Sequence, residues 1–239
     1  MNVLAFDSCL GAVSVAVRWR DADGQSLMRH AREVRDRGHA ERLMPMIAEV
    51  MQEAGLPFAD IGRIAVTVGP GTFTGVRGGV AAARGLALAS GVTAVGVTSL
   101  AVMAHRAKEQ LGPALGERLL AVAIDARRDF IYLQLYEGPE NAEVTPPLLL
   151  GGGEAAYSFA GRSAIIVGSG AELVARAVGA AGGQAEAMLV DLQPDARALA
   201  AIAADLVPDP PLRPLYLRPP DVKPQADRSL PRAATMANP

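Results

Sequence analysis

An α/β protein built from two related lobes is predicted by three features of this 239-residue sequence. Short apolar runs of strand length alternate with stretches of helical period. The early order is strand, strand, strand, helix, strand, helix, strand, helix. A shorter version of that order begins near Leu119 and opens, like the first, on a hairpin. No tandem sequence repeat accompanies the echo.

The elements follow in chain order. Val3–Asp7 and Ala12–Trp19 are strands joined through Ser8–Gly11, and Ser26–Val34 is a third strand after the turn at Asp21–Gly24. From Ala40 to Ala54 the period becomes helical, with Leu43, Ile47, Val50 and Ala54 on one stripe and Gly55 as the stop. Pro45 either sits in the first full turn or kinks this helix. Ile64–Val68 is a buried strand, Gly69–Thr74 a loop, Phe73–Ser90 a helix ending at Gly91, and Thr93–Val97 a strand. Ser99 is a candidate cap for a helix reaching about Gln110. In the second half Leu119–Asp125 and Phe130–Tyr136 form a hairpin. A helix near Glu154–Phe159, a strand Ala164–Val167 and helices over Ala171–Val178 and Pro194–Val207 follow, Pro194 being suited to a first helical position. These elements divide into an N-terminal lobe over 1–112, a C-terminal lobe over 113–218 and a proline-rich extended tail over 219–239.

Composition narrows the function. Half of the residues are hydrophobic, a fifth are charged, and aromatics make up 4%. A buried core is therefore expected, built mainly of Ala, Val, Leu and Ile. A formal net charge of −2 argues against a protein that grips a polyanion unaided, although Arg18–Arg42 carries seven arginines against five acids and forms a weak basic edge. A single cysteine, Cys9, excludes an intramolecular disulfide and a cysteine-based zinc cage. No leader pattern or membrane-length apolar run is read, so a cytoplasmic protein without membrane contact is expected.

Ile64–Leu88 is the most informative segment. A strand delivers Gly69-Pro70-Gly71-Thr72-Phe73-Thr74-Gly75 into a helix start, which fits either an anion cradle or a tight strand-to-helix turn. It is neither a Walker A loop nor a dinucleotide fingerprint. Gly75, Gly78, Gly79, Ala82 and Gly85 or Leu86 then recur every three or four residues and leave one helix face almost without side chains, at about 1 kcal/mol per interior glycine. Something approaches that backbone closely: a strand of the same core, or a helix of another subunit. The preceding helix adds a second apolar line, Met44, Ala48 and Met51, beyond what one buried face needs. A helix-pair interface is expected over Leu43, Met44, Ile47, Ala48, Met51, Gly75, Val76, Gly78, Gly79 and Ala82. Met44→Asp or Gly79→Leu is expected to abolish pairing and spare the monomer.

His39-Ala-Glu-Arg-Leu-Met-Pro-Met-Ile, Ala54-Gly55-Leu56, Gly69-Pro70-Gly71-Thr72-Phe73-Thr74-Gly75-Val76-Arg77 and Val95-Gly96-Val97-Thr98-Ser99-Leu100 together resemble the TsaB (YeaZ-type) family in order and spacing. Asp125-Ala126-Arg127-Arg128, Val167-Gly168-Ser169-Gly170-Ala171 and Pro214-Leu215-Tyr216-Leu217-Arg218 extend the likeness to about residue 218. The resemblance implies a two-lobed actin/hexokinase-like (ASKHA) fold. It also implies a non-catalytic partner subunit for TsaD, working with the ATPase TsaE and with the threonylcarbamoyl-adenylate of TsaC-type enzymes. The product is N6-threonylcarbamoyladenosine beside the tRNA anticodon, with tRNA reached only through the complex. A homodimer through the same helices is expected when TsaD is absent.

No catalytic residue, metal site or cofactor is assigned. The related TsaD subunit carries a metal-spaced histidine pair where this chain reads Thr98-Ser99-Leu100-Ala101-Val102-Met103, and His30, His39 and His105 have no such spacing. Asp7, Asp125, Gly168 and Gly170 mark a degenerate nucleotide site. The rival readings are an ASKHA-type ATP-dependent small-molecule kinase and a metallopeptidase-like protein.

Overall fold

A computed structural model describes residues 1–138, 141–208 and 211–218; the tail expected over 219–239 lies outside the described residues. Strands β1 (Val3–Asp7), β2 (Ala12–Arg20) and β3 (Ser26–Val34) form an antiparallel meander. Helix α1 (His39–Ala54) leads to β4 (Arg63–Thr67), and α2 (Phe73–Ser90) to β5 (Thr93–Val97), both strands being parallel to β1. The sheet order is β3-β2-β1-β4-β5. Every residue of central β1 is buried, as its unbroken apolar run requires of a strand covered on both faces.

Helix α3 (Ser99–Leu111) crosses to the second lobe. There β6 (Leu119–Asp125) and β7 (Phe130–Glu137) form the expected hairpin. Short β8 (Ala142–Glu143) and β9 (Leu148–Gly151) line the outer edge of β7, while β10 (Ala164–Val167) and β11 (Ala185–Ala187) extend the sheet in parallel beyond β6. A 3₁₀ helix over Glu154–Phe159 stands where an α-helix was expected, and α4 (Ala171–Ala180) precedes β11. The second sheet repeats the first in direction and order. This is the two-lobed actin/hexokinase-like α/β fold.

Several helix ends match their local chemistry. Gly55 and Gly91 close α1 and α2 in the left-handed conformation, at φ 65° and 71°. Pro45 stays inside α1 on its exposed side. Two helix starts differ from expectation. Thr98, not Ser99, caps α3 by accepting from the Ala101 N–H at 3.0 Å, and Ser99 is buried as the first helical residue. The final helix, α5, covers only Ala196–Ala203, so Pro194 lies outside it and Asp195 is its cap, accepting from the Arg197 N–H at 2.9 Å. Arg63 ends α5 by donating to the carbonyls of Ala203 (2.6 Å) and Leu206 (2.7 Å).

The inner helices are exchanged between the lobes. Leu100, Met103, Ala104 and Ala107 of α3 pack under the second sheet, against Leu120, Val122, Ile165 and Val167. Ala196, Leu199, Ala200 and Ala203 of α5 pack under the first, against Val3, Ala5, Ala65 and Val95. The division expected at 112/113 thus separates strands but not layers. Met46, Ile47 and Val50 of α1 and Val80 of α2 cover the first sheet's outer face. No helix among the described residues is long and apolar enough to cross a membrane.

Candidate functional site

The glycine-rich turn between β4 and α2 is filled by its own chain. The Thr72 N–H donates to Cys9 O at 2.7 Å, and the Ser8 hydroxyl donates to Gly75 O at 2.8 Å. A Cβ on Gly71 would lie 2.4 Å from Cys9 O, and one on Gly75 only 2.0 Å from Ser8 O. At Gly79 it would meet Ser8 Oγ at 3.0 Å and Val66 Cγ2 at 3.3 Å. Of the two alternatives for the bare helix face, Gly75 and Gly79 are therefore accounted for by the neighbouring loop and strand of the same core. Gly78 admits α1, its Cβ position being 3.2 Å from Ala40 Cβ.

That loop seals Asp7. Its carboxylate accepts from the Thr67 hydroxyl and, at 3.2 Å, from the Cys9 N–H, while Oδ2 is buried without a partner. Burial pushes its pKa up to about 6, and the Thr67 and Cys9 hydrogen bonds offset only part of that rise. Burial also raises the Cys9 thiol far above its ordinary value, followed by the nearby Asp7 charge; this is the reverse of an activated nucleophile. Because the folded pKa of Asp7 exceeds its unfolded value, the cost is absent below about pH 4 and grows as pH rises through about 6. Asp7→Asn is expected to stabilise the protein at pH 7.5 by on the order of 2 kcal/mol. It should also flatten the stability profile between pH 4 and 7, measured by urea unfolding. An unchanged profile would show that Asp7 is not the group responsible.

The remaining nucleotide-site residues, Asp125, Gly168 and Gly170, lie side by side at the end of β6 and in the β10–α4 turn. Gly168 and Gly170 are buried, and a Cβ on Gly168 would lie 2.6 Å from Ala123 O, so these glycines serve strand-to-helix packing. Ser169 Oγ accepts from the Asp125 N–H at 3.0 Å. Asp125 is exposed and faces a cleft of about 800 Å³ between the lobes, which Asp7 does not line. Among the cleft's lining residues are Arg35, His39, Phe73, Arg77, Arg127, Tyr216 and Arg218. Two features here escaped sequence reasoning. Arg127, Arg128 and Asp129 form a run of three left-handed residues, at φ 66°, 55° and 61°. The segment 212–218 is a strap between the lobes. Leu215 N–H donates to Val68 O at 2.7 Å, Arg77 Nε donates to the Tyr216 hydroxyl at 2.7 Å, and Arg218 donates to Ala126 O at 3.0 Å. The Pro-Leu-Tyr-Leu-Arg match was the one sequence signal of it.

A second polar cluster has a structural task. Asp195, buried at the start of α5, meets His30 Nε2 at 3.3 Å and Arg197 Nε at 3.1 Å. Burial alone would raise its pKa, but the close approach of His30 and the hydrogen bonds from Arg197 outweigh this and hold it well below the usual carboxylate range.

The residues expected at a helix-pair interface separate by exposure. Leu43, Ile47, Met51, Gly75, Val76 and Gly79 are buried within the chain. Gly79→Leu would accordingly force a side chain into Val66 and disturb the monomer, contrary to the expectation that it spares it. Met44, 46% exposed, and Ala48 stand outward, with Gly78 and Ala82 half-exposed beside them. The same α2 surface exposes Ala81, Gly85 and Leu88, the last 88% exposed. Among the described residues, no three His, Cys, Asp or Glu side chains are grouped to hold a metal ion.

Comparison with known proteins agrees with this architecture. The family model described as TsaD, tRNA N6-adenosine threonylcarbamoyltransferase, matches residues 32–144. The tRNA threonylcarbamoyladenosine biosynthesis protein TsaB of Escherichia coli K12 is 38% identical over 141 residues, covering 59% of this chain and 57% of that protein. The matched stretches span a little over half the length of the curated TsaB relatives. Two solved Pseudomonas aeruginosa structures align far more completely. One is an uncharacterized protein with similarity to peptidase YeaZ (TM-score 0.74, 30% identity, 91% of this chain and 99% of that one). The other is YeaZ (TM-score 0.70, 29% identity, 85% and 92%). By its identity to these relatives and its alignment over nearly the whole of the first solved structure, the chain belongs to the TsaB/YeaZ family.

Proposed function

We propose that this chain is a non-catalytic subunit in the formation of N6-threonylcarbamoyladenosine in tRNA. It pairs with a TsaD-type protein through the outward residues of α1 and α2, centred on Met44 and Ala48. TsaD carries out the transfer, and the ATPase TsaE acts with the pair. The observation that carries this reading is the closed site. The carboxylate of Asp7, the thiol of Cys9 and the amide of Thr72 are each engaged by the chain or sealed within it, so the turn has little left to offer a reacting group. Family membership supplies the assembly, and the exposed methionine beside small residues supplies an adaptable contact.

Reconstitution tests it. Purified chain, the TsaD and TsaE of the same genome, threonylcarbamoyl-adenylate and unmodified tRNA are expected to yield modified adenosine, and omission of this chain is expected to abolish the product. Full modification without the chain, or turnover of ATP or a peptide by the chain alone, would defeat the reading.

A further inference from the structure

The interlobe cleft concentrates positive charge that pairing through α1 and α2 leaves unused. Arg77, Arg127 and Arg218 line it against Asp36 and Asp125, while Arg35, which also lines it, is already paired with Glu33 at 3.0 Å, in a protein whose formal net charge is −2. Arg127 is exposed, and its guanidinium has no protein partner among the described residues. Its backbone is held left-handed by its own N–H, which donates to Asp125 Oδ1 at 2.8 Å, and by Arg218, which donates to the carbonyl of Ala126. Three successive residues in that conformation are costly for side-chain-bearing positions, and such strain concentrates where a loop must present a group.

Opposite this turn stands an aromatic platform. Phe73 and Tyr216 are 56% and 49% exposed in a chain poor in aromatics, with ring centroids 6.1 Å apart at 29°. The Arg77 guanidinium lies 3.5 Å over the Phe73 ring and donates through Nε to the Tyr216 hydroxyl, which fixes both rings at the rim. Exposed rings held beside arginines suit unpaired bases with their phosphates. The glycine turns that would cradle a lone nucleotide are closed on the chain itself, at Cys9 O and at Ala123 O. What remains is side-chain charge and ring faces around an open cleft, the pattern of a strand contact.

We propose that this cleft is the chain's own contact with single-stranded RNA: a phosphate against Arg127, and a base on the Phe73–Tyr216 platform. The inference rests on the proposed role in tRNA modification and adds the place where this subunit touches the substrate. The contact acts within the assembly, where its weak affinity adds to that of the partner.

The test uses the assembly with its TsaD-type partner and a fluorescein-labelled anticodon stem-loop, with anisotropy followed across a salt series. Arg127→Ala is expected to weaken binding about three- to tenfold at low salt and to lower the salt slope by about 0.7. Phe73→Ala is expected to weaken binding at least about fivefold with the slope unchanged. Arg176→Ala, an exposed change on α4 outside the cleft, is expected to leave binding as in the wild type. Wild-type affinity in both cleft variants, or displacement of the RNA by free AMP or ATP at equimolar concentration, overturns the inference. A modification assay on the wild-type assembly is run alongside. Its failure would sink the assigned function, whereas retained modification with unaltered RNA affinity in the variants would sink the cleft contact alone.

Discussion

Gly75→Ala is expected to destabilise the protein by about 3 kcal/mol or more, a large share of the 5–15 kcal/mol typical of a folded domain. On helix propensity alone, alanine would be the better residue by about 1 kcal/mol. The close approach reverses the sign, because the new Cβ would stand 2.0 Å from Ser8 O and 2.7 Å from Thr72 Oγ1, the cap of α2. Backbone cannot yield as a flexible side-chain end can. The β1–β2 loop must then retreat, taking with it the Thr72–Cys9 hydrogen bond and the cover over Asp7. Gly85→Ala, ten residues on in the same helix, meets nothing within 4 Å and is expected to stabilise by about 0.5–1 kcal/mol. Thermal unfolding of the two variants side by side checks both signs. Equal small shifts would show that the loop does not rest on α2 as described.

Met44→Asp is expected to weaken pairing with the TsaD-type partner by about 10- to 100-fold, roughly 1.4–2.8 kcal/mol. The monomer's unfolding midpoint should remain nearly unchanged, since Met44 is 46% exposed and lies outside the first core. The loss arises because an interface that buries an unpaired carboxylate must strip its water without replacing it. Ala48→Glu, one turn along α1, should act in the same direction. Titration calorimetry reads the affinity and circular dichroism the fold. Unaltered affinity in both variants would place the contact elsewhere on the surface.

The contrast between Met44 and Gly79 shows what the sequence could and could not disclose. Strand and helix positions were legible because their apolar periods differ, and the two-lobed plan followed from their order. The wide apolar arc of α1 was also legible, but not which edge of it the core would claim. Leu43, Ile47 and Met51 went inward and Met44 and Ala48 outward, a phase decided by how α1 rolls on the sheet. The glycines of α2 signalled a close neighbour without naming it. For Gly75 and Gly79 that neighbour proved to be Ser8, more than sixty positions earlier, whereas Gly78 faces Ala40 and Gly85 meets nothing within 4 Å. Short β8, β9 and β11 carry too few residues for any period to emerge, and the strap depends on contacts between segments at least 91 residues apart. Of the four nucleotide-site positions, Asp125 alone reaches the cleft, because burial of Asp7 depends on the loop above it.

The traded positions of α3 and α5 have a bearing on how this molecule can be divided or rearranged. Cut after Leu111, the leading fragment would keep an amphipathic rod with no floor to lie on and leave Val3, Ala5 and Ala65 wet. The trailing fragment would suffer the mirror-image fault beneath Leu120 and Val122. Separately expressed halves should therefore aggregate, and the two together should recover a native-like particle only by finding each other. The two halves are joined as a clasp is, each holding the other's fastening.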